Sequence, residues 1–297
     1  MSITRTSIAT RTRTWLLIAG LSALLVGFGA LIGGTSGIVL FAGIAVVFNL
    51  VMYWFSASLA LKSSRARPLA EDDAPQLHQL VRELAGKAGI PMPSLHLIPS
   101  EQPNAFATGR NPKHAAVAVT EGLLHHLPPE QVRGVVAHEL AHIANRDVLV
   151  QTIAAMIGAA IAAIANILQF SMLFGGGDDD DSPLGFIGVI AAIIFAPMAA
   201  MILQLAVSRQ REYLADASAA RYIGEGEPLA RALETLQRGT EAIPMRVNPA
   251  TEALYIANPL SAFKGQGMSA LFSTHPPMEE RIRRLRALDA AAGVHYG

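Results

Sequence analysis

Val135-Val136-Ala137-His138-Glu139-Leu140-Ala141-His142 contains the pattern His-Glu-x-x-His. On a helix, residues four apart share a face, so His138 and His142 can aim their imidazoles at one point. Glu139 stands beside the first histidine, within reach of a water held at that point. Two histidines with an adjacent carboxylate are the usual donors and general base of a hydrolytic zinc site. Residues 130–144 read as a helix, with apolar Val132, Val135, Val136, Leu140 and Ile143 around the motif. Pro128-Pro129-Glu130 opens it, proline being tolerated in a first turn. An uncharged apolar run then begins at Val148, so the metal helix leads almost directly into an expected membrane span.

The chain has 297 residues, 52% of them hydrophobic and only 15% charged, with a mean hydropathy of +0.37. That balance favours one soluble domain plus several spans over a wholly soluble protein. The net charge is zero, so bulk electrostatics does not suggest a nucleic-acid partner. There is no cysteine. Disulfides, thiolate ligands and cysteine nucleophiles are excluded, and any metal must be held by histidine and carboxylate.

Four apolar runs stand out, at 15–32, 38–61, 148–174 and 183–207. Each is roughly long enough to cross a hydrocarbon core of about 30 Å as a helix. The first also admits a reading as a cleaved signal peptide, but its apolar core is long and a second run follows at once. The later pair also admits a reading as buried helices of a soluble domain. Two membrane hairpins are the better reading. Arg5, Arg11 and Arg13 precede the first run; Lys62, Arg65 and Arg67 follow the second. Arg146 precedes the third, and Arg209 and Arg211 follow the fourth. The loops 33–37 and 175–182 hold no Lys or Arg. The positive-inside rule then places both termini and the globular part in the cytoplasm. Asp178 to Asp181 lack the spaced ligands of a calcium loop and read as a solvated turn. Trp15 and Tyr53-Trp54 are candidate interface residues, although Tyr53-Trp54 fall well inside the run 38–61.

Between the hairpins the pattern is globular. A helix is expected over 73–88, strands over 94–99, 104–109 and 114–120, and a turn at 109–112. A short helix should start at Thr120 or Glu121 and end near His126. After span four, helices are expected at 209–222, 228–238 and 278–292, with a loop-rich stretch at 241–274.

A catalytic zinc usually has three protein ligands and one open position. The best third ligand is Glu212, in Ser208-Arg209-Gln210-Arg211-Glu212-Tyr213-Leu214-Ala215-Asp216. If spans three and four form a hairpin, His142 before it and Glu212 after it return to one membrane face. Asp216, one turn beyond Glu212, could orient a ligand histidine. His78, His96, His114 and His295 lack ligand-spaced partners. His125 and His126 are adjacent and do not face one point.

These residues resemble the HtpX-type membrane zinc metalloproteases of peptidase family M48, related to Ste24 and Oma1. The resemblance rests on His138-Glu139-x-x-His142 with Asn145 and Asp147, and on Ser208-Arg209-x-Arg211-Glu212-Tyr213-x-Ala215-Asp216. It extends to Asn104-Ala105-Phe106-Ala107 and to Ser273-Thr274-His275-Pro276-Pro277-x-Glu279-x-Arg281. It implies an α+β fold, predominantly helical: four transmembrane helices in two hairpins and a cytoplasmic zincin-like protease domain with a small β-sheet. The expected organisation is a basic N-terminus (1–14), hairpin one (15–61), the first part of the protease domain (62–147), hairpin two (148–207) and its second part (208–297). The implied cofactor is one Zn2+ on His138, His142 and Glu212, with Glu139 activating water. By resemblance, His275 steadies the oxyanion, with Arg281 nearby. Asn104, Ala105, Phe106 and Ala107 could present a strand edge to extended substrate backbone. The implied substrates are membrane or misfolded proteins, in quality control or stress response at the bacterial inner membrane. Two other readings remain at this point: a protease with its zinc inside the bilayer, and a membrane scaffold or chaperone-like protein with a structural metal site. Arg133, Arg146 and Asp147 around the motif argue against the first, and the intact Glu139 against the second.

Overall fold

Leu95, Ala105, Ala107, Ala115, Val117 and Val119 belong to one apolar core, while Ile98, Phe106 and Ala118 belong to another. Side chains alternate across a strand, so one sheet feeds both cores. The computed structural model describes residues 3–156, 209–247, 249–263, 276–291 and 293. In chain order these form α1 (Ile3–Ser63), β1 (Arg67–Pro68), α2 (Pro75–Ala88), β2 (Ser94–Ile98), β3 (Ala105–Asn111), β4 (His114–Thr120), α3 (Glu121–His126) and α4 (Pro129–Ala144). Then follow α5 (Arg209–Ile223), α6 (Glu227–Ala242) and α7 (Met278–Ala291). Residues 148–156 are also helical, and short stretches of 3-10 helix occupy Pro249–Leu254 and Ser261–Phe263.

The sheet order is β1-β2-β4-β3, with β2 parallel to β4 and the other pairs antiparallel. Helices α2, α4, α5, α6 and α7 share the first core with one face of the sheet. The second face meets Met52 and Ala60 of α1, Ala155 and Met156, and Tyr255. The described chain is thus mostly helical with a small mixed sheet.

The expected helices and strands form close to their expected limits. Thr120 caps α3, its side chain accepting the Leu123 N–H at 3.0 Å. β1 was not expected, because a basic stretch with Pro68 carries no strand pattern. Proline survives there because β1 is an edge strand and can dispense with a donor. The expected turn at 109–112 is tighter. β3 runs on to Asn111 with a register shift between Gly109 and Asn111. The Asn111 side chain closes the turn by accepting the N–H groups of Lys113 and His114.

The expected loop 33–37 is reduced to one residue. Helix runs on both sides of Gly34, which adopts φ 54, ψ −135, a conformation that glycine tolerates and side-chain-bearing residues avoid. Asn49 Nδ2 donates to Ser22 Oγ at 2.8 Å across this break. In an unbroken helix those residues would stand about 40 Å apart, so the chain doubles back at Gly34. The half from Gly34 to Ser63 is 30 residues long, with a mean hydropathy of 2.3 in its most apolar window. Among the described residues it is the one helix long and apolar enough to cross a membrane. The basic N-terminal segment is itself helical from Ile3. The expected span three is helical over 148–156. The rest of it, the acidic loop 175–182, span four and His275 lie outside the described residues.

Candidate metal centre

Helix α4 is buried along most of its length, from Gly134 to Ile143. Close approach to α6 is what seats it. A Cβ on Gly134 would stand 2.7 Å from the backbone of Leu229, so only glycine permits this crossing distance. The sheet lies on the other side. His138, Glu139 and His142 are therefore fixed between layers, at 0%, 2% and 6% exposure. Helix α5 faces α4 and carries Glu212 and Asp216 one turn apart, both buried.

The three expected ligands converge. His138 Nε2 and His142 Nε2 are 3.1 Å apart. Glu212 reaches both, with Oε2 at 3.6 Å from His138 Nε2 and Oε1 at 3.4 Å from His142 Nε2. The other nitrogen of each histidine faces a carboxylate. His138 Nδ1 lies 2.9 Å from Asp216 Oδ1, and His142 Nδ1 lies 3.5 Å from Asp147 Oδ2. A neutral imidazole that donates from Nδ1 keeps its lone pair on Nε2. Two such lone pairs and a carboxylate crowded together repel one another unless a cation or proton sits between them.

Asp216 is held in turn by Arg281 of α7, which is fully buried. Arg281 donates through Nε at 2.9 Å and Nη2 at 2.7 Å to Asp216, and through Nη1 at 3.2 Å to the Ile256 carbonyl. Its Nη1 also stands 3.8 Å from Glu212. Burial alone would raise the Asp216 pKa, but Arg281 and His138 outweigh it and hold the carboxyl at about 2. For His138, burial and the Arg281 charge oppose protonation. Asp216 and Glu212 prevail, and with no metal bound the imidazole rises to about 9.

Glu139 is not part of the ligand triangle. Its carboxylate accepts the backbone N–H of Ala107 on β3. Burial pushes its pKa up; the two histidines pull it down and Glu212 adds to the rise, with a net upward shift. A buried carboxylate kept more basic than usual beside two imidazoles is suited to taking a proton from water.

Asp147 as the partner of His142, and the Ala107 N–H on Glu139, are contacts that sequence reasoning did not assign. The first had a signal, an aspartate five residues past a ligand histidine. Arg146 adopts φ 62, a left-handed conformation that turns the chain sharply, and the Asp147 N–H then donates to the His142 carbonyl at 3.0 Å. The second had none, since backbone donors carry no sequence mark. In the sequence Arg211 is one of the charges that flank span four. It is buried, with Nη1 4.0 Å from Asp147 Oδ1, so its charge is directed at the centre.

The expected strand edge at Asn104 to Ala107 is largely used by the chain itself. Asn104 Nδ2 donates to the Ala257 carbonyl at 2.8 Å, and the Ala257 N–H donates back to Oδ1 at 3.3 Å. The Ile256 N–H donates to the Ala105 carbonyl at 3.0 Å. Phe106 packs edge-on against Tyr255, and Ala107 serves Glu139. His125 and His126 are exposed, as expected for non-ligands.

A His-Glu-x-x-His helix, a glutamate from a second helix and an ordered carboxylate behind each histidine define a metallopeptidase-type centre. The model of peptidase family M48 matches residues 71–289, and the chain belongs to that family of metalloproteases. Similar curated proteins align with nearly the whole chain. "Protease HtpX homolog" of Syntrophobacter fumaroxidans is 50% identical over 282 residues, covering 94% of this chain and 99% of that protein. The same-named protein of Pelotomaculum thermopropionicum is 52% identical over 278 residues, covering 93% and 98%. Among solved structures, Ste24p of S. mikatae matches at a TM-score of 0.50 with 20% identity, over 95% of this chain and 67% of that one. That likeness bears on fold alone.

Proposed function

We propose that the chain is a zinc-dependent endopeptidase held in the bacterial inner membrane, cleaving membrane or misfolded proteins at the cytoplasmic surface. The observation that carries this is the triangle of His138, His142 and Glu212, whose ligand atoms lie within 4.8 Å of one another with Glu139 alongside. A tetrahedral ion with bonds of about 2.0–2.1 Å spaces its ligand atoms roughly 3.3 Å apart. The separations of 3.1, 3.4 and 3.6 Å fit that spacing, and nitrogen with carboxylate donors suits zinc.

A bound zinc ion supplies Lewis acidity, which makes water acidic near neutral pH and polarises a scissile carbonyl. The chain's own residues do the rest. Glu139 accepts the proton of the attacking water and passes it to the leaving amine. The Ala107 N–H aims that carboxylate. Asp216 and Asp147 set the tautomers of His138 and His142, and Arg281 locks Asp216. Substrate backbone approaches along β3 at Ala107, where that strand meets Glu139. His275 is proposed to assist the developing oxyanion.

Around this centre we keep four spans in two hairpins with both termini cytoplasmic. The domain limits are 1–14, 15–61, 62–147, 148–207 and 208–297. The apolar half of α1 and its return at Gly34 support the first hairpin. His142 and Glu212 would then bracket the second, so that hairpin two brings the ligands together.

The test compares wild type with Glu139→Ala. Near-stoichiometric zinc is expected in both, with cleavage of an unfolded protein such as casein by wild type alone. Equal cleavage by the two would sink the assigned base.

A further inference from the structure

The helix from Gly34 to Ser63 is longer than a bilayer needs. Its 30 residues span about 45 Å, against about 30 Å of hydrocarbon. Its exposed large apolar side chains begin at Ile38 and end at Leu59. Trp54 lies about 24 Å along from Ile38, close to the far hydrocarbon boundary, and 54% of it is exposed. The last turns, to Ser63, project into the headgroup layer. Tyr53 and Trp54 are thus interface residues although they sit inside an unbroken apolar run.

β3 lies alongside these last turns and runs the opposite way. Phe106 lines one small cleft together with Ala60, Ser63 and Ser64. Arg110, four residues on, holds its guanidinium 4.4 Å over the Trp54 ring. The turn between β3 and β4 therefore reaches back along the helix to the level of Trp54. Its residues, Gly109-Arg110-Asn111-Pro112-Lys113-His114, include two permanent cations and no acid. Lys113 and His114 are exposed, and among the described residues neither Arg110 nor Lys113 forms an ion pair. Cation–π contact with Trp54 orients Arg110 but leaves its charge uncompensated.

We propose that the β3–β4 turn is a headgroup-binding element, in which Arg110 and Lys113 take the phosphate of an anionic phospholipid at the membrane face where Ser63 emerges. The proposal rests on the reading of α1 as a membrane span. Charge complementarity favours this occupant: cations that form no ion pair among the described residues stand beside a tryptophan near the hydrocarbon edge, from which long basic side chains snorkel outward to lipid phosphates. The consequence reaches the centre. β3 carries Ala107, whose N–H aims Glu139, so a lipid-held turn fixes the height of the catalytic strand above the bilayer.

The full chain carries two tryptophans, so Trp15→Phe leaves Trp54 as the sole reporter. In phosphatidylcholine vesicles, Trp54 fluorescence is quenched by small, equal fractions of brominated phosphatidylglycerol or brominated phosphatidylcholine. Each cation near an anionic surface is worth roughly a fivefold preference. Stronger quenching by the anionic lipid is expected, reduced about fivefold in preference by Lys113→Gln and abolished in Arg110→Gln/Lys113→Gln. The ratio of the two lipids cancels any change in Trp54 brightness when Arg110 is lost. Equal quenching by both lipids in the parent overturns the proposal and leaves the span intact. No quenching by either overturns the span reading and the proposal with it. A preference that survives the double substitution assigns it to Lys62, Arg65 and Arg67 instead, and overturns the proposal. Loss of the preference in millimolar inorganic phosphate would identify a soluble phosphate, not a lipid, as the ligand.

Discussion

Removal of the Arg281 guanidinium should unlock the metal centre from behind. Arg281 is fully buried and makes three charge-assisted donations, two to Asp216 and one to the Ile256 carbonyl. Arg281→Met keeps most of the stem's packing and removes the charge. Asp216 is then left ionised and buried, with only His138 beside it. Breaking one side of a buried ion pair costs about 3–5 kcal/mol. At about 2–4 °C per kcal/mol for a domain of this size, the melting temperature should fall on the order of 10 °C. Asp216 would also lose the clamp that orients His138, and disturbing such a partner weakens metal binding about 10–100-fold. The double substitution Arg281→Met/Asp216→Asn removes the orphaned charge and keeps an acceptor for His138. It should lose less than the sum of the singles, by on the order of 2 kcal/mol. The assay is thermal unfolding of the purified protein with and without zinc, alongside zinc competition against a chelating dye. A loss under about 1 kcal/mol for Arg281→Met, or strict additivity in the cycle, would refute the chain from Arg281 through Asp216 to His138.

Three further outcomes are expected. With no metal bound, His138 has a pKa raised to about 9, so near neutral pH it carries a proton that a metal must displace. Calorimetric zinc titrations in buffers of different ionisation heat should report about one proton released, and zero release would remove the assignment. Glu252 is buried, and burial lifts its pKa to about 8 despite Asn258. A raised acid binds its proton more tightly when folded, so its contribution is complete below about pH 4.5 and lost as pH rises through about 8. Glu252→Gln should therefore stabilise the protein at pH 9 more than at pH 5; an equal effect at both would contradict the burial. Gly134→Ala would drive a methyl into the Leu229 backbone and cost about 1–3 kcal/mol, read as a lower melting temperature, whereas an unchanged one would show that α4 and α6 can part freely.

The periodic elements were legible because periodicity is local. Helix α4, the three longer strands and the cap at Thr120 follow from apolar spacing and cap chemistry within a few residues. So did the proposed metal ligands His138 and His142, which one helical turn places together. Glu212 was legible only through an argument about a returning hairpin, and its approach to both histidines at 3.4 and 3.6 Å is a property of packed α4 and α5. β1 was not legible, since two residues with a proline carry no period. Nor was the fate of the 104–107 edge, because nothing local predicts that residues 256–257 will pair there.

By itself the sequence determined which side chains this protein can use: two histidines at helical spacing, an adjacent acid, no thiols, and apolar runs long enough to span. These depend on covalent order and on the pitch of one helix. Tertiary structure alone decided the pairing of Asp216 with His138 and of Asp147 with His142. It also placed Arg281 behind Asp216, the Ala107 amide on Glu139, and the turn carrying Arg110 beside Trp54. Such contacts join groups far apart in the chain. They exist only because α4 is pressed between the sheet and neighbouring helices, where a buried charge or donor must find a partner.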